Sequence, residues 1–135
     1  MQIVHLGEGG YHIFCRAEIE GLEVNALIDT GANKSVLSTE LAEKLQHLEA
    51  VELEENHTAG IGKEEVETSF VKLHSLQIGD LVIQDLLMGL LDLEHVEEMY
   101  RQMEIEPFNL IIGGDILQEY KASINYKNSE LRLRT

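Results

Sequence analysis

An apolar run, Ala26, Leu27 and Ile28, ends on the carboxylate of Asp29, then on a hydroxyl and a glycine, before the chain returns to Val36 and Leu37. A charge at the end of a buried strand is costly unless hydrogen bonds or a partner hold it. The stretch is therefore either a turn whose own amides satisfy the carboxylate, or a place where the carboxylate does chemistry. Both readings put residues 22–28 in a core with Asp29 at its exit, and the rest of the fold has to be arranged around that exit.

Period-two patterns dominate the chain. Tyr11–Ile19 and Leu22–Ile28 are rich in Ile, Val and Leu and flank Glu20-Gly21, which predicts a hairpin. Ser38 can cap a short helix carrying Leu41, Leu45 and Leu48, with Glu40 in its first turn. The segment NHTAGIGKEEVE has polar flanks around Gly60, Ile61 and Gly62 and suits an exposed hairpin tip. Residues 66–78 alternate as a long strand, Gly79-Asp80 turns, and Leu81–Leu91 is so uniformly apolar that burial on both faces is expected. Val96, Met99, Tyr100 and Met103 recur at helical spacing as a core stripe, with Glu94, Glu97, Glu98 and Arg101 opposite. After Pro107 come a strand, a short helix over GGDILQEY and a closing hairpin.

With 135 residues and neither a linker nor an internal repeat, residues 1–135 read as a single domain. Ten Lys and Arg against 25 Asp and Glu leave a formal charge of −15, which repels phosphate backbones and anionic lipid. Neither nucleic acid nor membrane is expected as a partner. Cys15 is the only cysteine, so no disulfide closes within the chain, and with no leader or spanning run the expected location is cytoplasmic. His5, His12, His47, His57, His74 and His95 are scattered, with no i, i+4 pair, so no metal site is expected. The glycines of GEGG and GIG lack a phosphate-binding pattern, and no cofactor is implied.

The setting of Asp29 narrows the choice. Asp29-Thr30-Gly31 follows an apolar strand, precedes Ala32, Asn33 and Ser35, and is answered some eighty residues later by Ile111-Ile112-Gly113. In this order and spacing the chain resembles the retropepsin-like aspartic peptidases, from about Tyr11 to Leu133. The resemblance implies a mostly β, single-domain acid-protease barrel with short helices, working as a homodimer. It implies that Asp29, with Thr30 and Gly31, is catalytic and that Gly60, Ile61 and Gly62 form a flap over a peptide or protein substrate. Ala32 and Asn33 would contact that substrate. Retroviral members carry Ala-Asp after the triplet and Arg after the late glycine; here those places hold Ala32-Asn33 and Gly114.

Peptide hydrolysis by activated water needs one group to take a proton from the water and another to give one to the carbonyl oxygen. Two carboxyl groups sharing one proton can do both. This chain carries one Asp-Thr-Gly, so the second Asp29 has to come from another copy across a two-fold axis. The alternative from another class is a dimeric peptide-binding module that keeps the fold and binds extended peptides by strand addition without cleaving them.

Overall fold

The hairpin at the start of the domain forms for the reason its residues give. Glu20 and Gly21 take positive φ values of 50° and 88°, the geometry whose twist matches two antiparallel strands. They join β2 (Tyr11–Ile19) to β3 (Leu22–Ile28) in a register that runs from Ile19↔Leu22 to Ile13↔Ile28. The computed structural model describes residues 1–7, 10–45, 49–51 and 69–134. Around the hairpin lie β1 (Gln2–His5), β4 (Val36–Ser38), β5 (Glu49–Val51), β6 (Phe70–Ile78), β7 (Leu81–Leu91) and β8 (Leu110–Ile112). Helices α1 (Thr39–Lys44), α2 (Glu94–Gln102) and α3 (Gly114–Glu119) precede a separate two-stranded hairpin, β9 (Ser123–Asn125) with β10 (Glu130–Arg132).

Six strands close on themselves in the order β2-β3-β8-β4-β7-β6, and the pairs Glu18↔Gln77 and Ile19↔Leu76 join β6 back to β2. β1 and β5 extend the sheet beyond β2 and β6. β8 is inserted between β3 and β4, parallel to the first and antiparallel to the second. That insertion brings the end of β8 beside the loop that leaves β3.

Strand alternation divides the side chains between two cores. Ile13, Ala17 and Ile19 of β2, Val24, Ala26 and Ile28 of β3, and Leu110 and Ile112 of β8 belong to the main core. Phe14, Leu27 and Ile111, on the opposite face of the same strands, join Leu93, Val96, Tyr100 and Phe108 in a second core under α2. Phe14 is 1% exposed, which stabilises the fold by about 2–3 kcal/mol.

Three expectations need correction. Leu81–Leu91 is not buried on both faces: Leu81 and Ile83 face the core, whereas Val82 and Leu91 are exposed, because only one face of this strand is covered. In α2, Tyr100 is buried but Met99 and Met103 are exposed, and Glu97 is buried in their place. Leu93 and Phe108 draw the Tyr100 side of the helix onto the sheet, and Asn109 and Arg101 give the Glu97 carboxylate polar partners. Helix α1 is capped by Ser38, whose Oγ accepts the Leu41 N–H at 3.1 Å, but it ends at Lys44, with Leu45 as its C-cap. Leu48 lies outside the described residues.

Candidate active site

Asp29 stands where β3 leaves the barrel. Its N–H donates to the Ile112 carbonyl at 3.0 Å, which extends the parallel ladder with β8 by one residue. The chain then turns sharply: the Gly31 N–H donates to Asp29 Oδ1 at 3.0 Å and the Ala32 N–H to the Asp29 carbonyl at 3.2 Å. This is the local satisfaction that a turn provides. It engages one carboxylate oxygen; Oδ2 has no partner among the described residues, and the side chain is half-buried at the surface of a groove.

The loop is held from below by a network that the sequence reading did not single out. Ser35, fully buried, donates from Oγ to Asp115 Oδ1 at 2.7 Å and from its N–H to the same oxygen at 3.0 Å. Ser35 Oγ in turn accepts the Gly113 N–H at 2.9 Å. The Gly114 N–H donates to the Ala32 carbonyl at 2.7 Å, and Lys34 Nζ lies 3.7 Å from Asp115 Oδ2. Gly113 is required by space and not by conformation: its φ is −102°, but a Cβ there would sit 2.8 Å from the Ala32 carbonyl oxygen and 3.1 Å from the Lys34 carbonyl carbon. The late Ile-Ile-Gly element thus presses directly on the Asp29 loop. The signal for Ser35 and Asp115 was available as a hydroxyl six residues after Asp29 and a carboxylate in the first turn of a helix that begins at the second glycine.

Asp29 and Thr30 share a groove of about 360 Å³ with Tyr11, His12, Ile13, Leu27, Ile28, Ile124 and Tyr126. Asp29 is the only carboxylate among these lining residues. Thr30 is exposed and its hydroxyl has no partner among the described residues. Ala32 is half-buried and Asn33 exposed, and neither lines the groove. Gly60, Ile61 and Gly62 lie outside the described residues.

A second polar cavity, about 280 Å³, opens on the outer face of β3 and is lined by Arg16, Glu23, Glu40, Glu97, Arg101 and Asn109, among others. Burial pushes the Glu97 carboxyl up to about 7, helped by its hydrogen bond to the Glu40 carboxyl and repulsion from it, while Arg101 and Asn109 act the other way. Cys15 is half-buried in the barrel wall, and desolvation pushes its thiol up to about 11, so it is a poor nucleophile at neutral pH. Among the described residues no helix is long and apolar enough to cross a membrane.

Comparison with known proteins bears on the family and the fold. The family model described as aspartyl protease matches residues 15–116. The UBA domain-containing protein Mud1 of Schizosaccharomyces pombe is 27% identical over 124 residues, covering 91% of this chain and 33% of that protein. The chain thus spans about a third of the length of this curated relative. The retroviral protease-like domain of Ddi1 from Leishmania major superposes with a TM-score of 0.57 at 18% identity, covering 90% of this chain and 87% of that one. The EIAV protease, solved with the inhibitor HBY-793, has a TM-score of 0.57 at 25% identity, covering 84% of this chain and 92% of the other.

Proposed function

We propose that this chain, which belongs to the aspartyl protease family and has a retropepsin-like fold, is an aspartic endopeptidase whose site is completed by a second copy of itself. One observation carries the reading: among the described residues Asp29 is the only carboxylate lining its groove, it is held on one oxygen by the Gly31 amide, and its other oxygen has no partner among them. A lone carboxyl cannot be acid and base together, so the second proton-bearing group is Asp29 of another copy. Two such carboxyls about 3 Å apart resist joint ionisation and share one proton. The charged one accepts a proton from the attacking water; the protonated one donates to the carbonyl oxygen of the scissile bond.

The remaining parts have assigned tasks in this reading. Gly31 holds the carboxylate in place through its N–H, which donates to Asp29 Oδ1 at 3.0 Å. The free Thr30 hydroxyl hydrogen-bonds across the two-fold axis to the opposite loop. Gly60, Ile61 and Gly62 close over the peptide as a flap, with Ala32 and Asn33 contacting it, and each subunit is a single domain. The groove, lined by the rings of Tyr11 and Tyr126 beside His12 and Thr30, suits an extended peptide with mixed apolar and polar side chains.

The test is cleavage of a peptide library by the isolated protein from acidic to neutral pH, with and without a statine-type inhibitor such as pepstatin. Cleavage that the inhibitor blocks and Asp29→Asn abolishes is expected. Peptide binding without turnover across that range would instead identify a non-catalytic binding module.

A further inference from the structure

The Asp29 groove contains one side chain that the hydrolytic mechanism does not use and that the fold nevertheless holds in place. His12 lines the groove from β2, and its Nδ1 lies 2.9 Å from the hydroxyl of Tyr100 on α2. Tyr100 is 3% exposed and is gripped by its ring, edge-on to Phe14 at 6.1 Å and to Phe108 at 5.3 Å between centroids. A buried phenol has to place its proton on an acceptor. His12 Nδ1 is the acceptor within reach among the described residues, and desolvation raises the Tyr100 pKa, which keeps the phenol protonated. With Nδ1 accepting, the neutral imidazole carries its own proton on Nε2, the ring's other nitrogen, which has no partner among the described residues.

We propose that His12, aligned by Tyr100, is a specificity-determining residue of the Asp29 groove, donating from Nε2 to an uncharged acceptor side chain of the bound peptide, as in Gln or Asn. A carboxylate side chain fits less well, because it would enter beside Asp29 on a chain of formal charge −15. The groove's other described walls are aliphatic or tyrosyl apart from Asp29 and Thr30; the hydroxyls of Tyr11, Tyr126 and Thr30 can also donate, but His12 is the donor whose direction is fixed by a side-chain hydrogen bond among the described residues, and a donor so fixed discriminates between side chains of similar size. Helix α2 thereby acquires a task beyond burying Phe14: through Tyr100 it fixes the ring that reads the substrate.

The inference rests on the peptide-groove reading, and the test separates the two. Asp29→Asn chains, which hold peptides without cutting them, are titrated with short apolar peptides carrying Gln or the near-isosteric Met at one position at a time. At one position the Gln peptide should bind about 3- to 10-fold tighter, the range of one neutral hydrogen bond. Adding His12→Leu should bring that ratio to about one, adding Tyr100→Phe should cut it at least about two-fold while the packed ring stays, and His12→Gln, which restores a donor, should recover part of it. A ratio near one at every position in the parent chain, a ratio indifferent to His12→Leu, or a Tyr100→Phe effect equal on both peptides would overturn the proposal, as would the absence of all peptide binding. Wild-type turnover of the same peptides is followed in parallel: a preserved ratio without turnover refutes the peptidase and keeps the specificity role, and turnover without a ratio does the reverse.

Discussion

Replacing Ser35 by Ala removes one oxygen and tests whether the Asp29 loop is locked by the network beneath it. Ser35 is fully buried, and its Oγ both accepts the Gly113 N–H at 2.9 Å and donates to Asp115 Oδ1 at 2.7 Å. In the variant the Gly113 amide has no acceptor, which costs about 1–3 kcal/mol for a buried donor. Asp115 loses its shortest hydrogen bond but keeps the Ser35 N–H at 3.0 Å and Lys34 at 3.7 Å, so its share is about 1 kcal/mol. The two terms give about 2–4 kcal/mol, roughly a 10 °C fall in Tm for a domain of this size. Thermal and urea unfolding should be compared at fixed protomer concentration, because self-association would add its own concentration dependence. Asn33→Ala, two residues away and exposed, serves as the control and should change stability by less than about 0.5 kcal/mol. A Ser35→Ala loss no larger than the control's would refute the lock. So would a double-mutant cycle with Asp115→Ala that shows no coupling, since groups in one network should couple by at least about 0.5 kcal/mol.

Gly113→Ala should destabilise by about 1–3 kcal/mol and depress any peptidase activity further, because the new methyl meets backbone at Ala32 and Lys34 rather than a movable side chain; chemical denaturation with a parallel cleavage assay reads both. Glu97 is a carboxyl whose folded-state pKa is raised to about 7, so the native state holds a proton there that the unfolded chain releases near its ordinary value. Its effect is a loss of stability as pH climbs from the ordinary carboxyl range through about 7, on the order of 2 kcal/mol, and Glu97→Gln should flatten that decline and be the more stable protein above pH 7. Tyr100→Ala should cost about 3–5 kcal/mol in unfolding experiments through the emptied second core, whereas Tyr100→Phe, which keeps the ring against Phe14 and Phe108, should cost about 1 kcal/mol.

The hairpin from Tyr11 to Ile28 was legible because its side-chain period, its turn residues and its burial all point the same way. The Asp29 exit was legible for a related reason: a carboxylate that interrupts an apolar strand has few physical explanations. What periodicity could not supply was which face of a strand or helix is covered. Val82 looks like core by composition, yet the sheet's outer side is bare there. Met99 and Met103 fall on the apolar stripe of α2, but the helix is rotated so that Tyr100 enters the second core and Glu97 meets Asn109, a partner twelve residues on. Ser35 and Asp115 stand eighty residues apart, and only the insertion of β8 between β3 and β4 brings them together. His12 belongs to the same class, since its significance depends on a tyrosine that α2 carries across the sheet.

In the proposed peptidase one site is built from two chains, and mixing active with inactive subunits is the sharpest test of that assembly. Wild type and Asp29→Asn are combined at known ratios, allowed to exchange fully with tagged chains confirming it, and assayed for turnover. If each site needs Asp29 from both copies, activity follows the square of the wild-type fraction: in an equal mixture about one quarter of dimers are wild type, and turnover per wild-type chain falls to about half. Activity strictly proportional to the wild-type fraction would mean that each chain works alone, and would contradict the shared dyad.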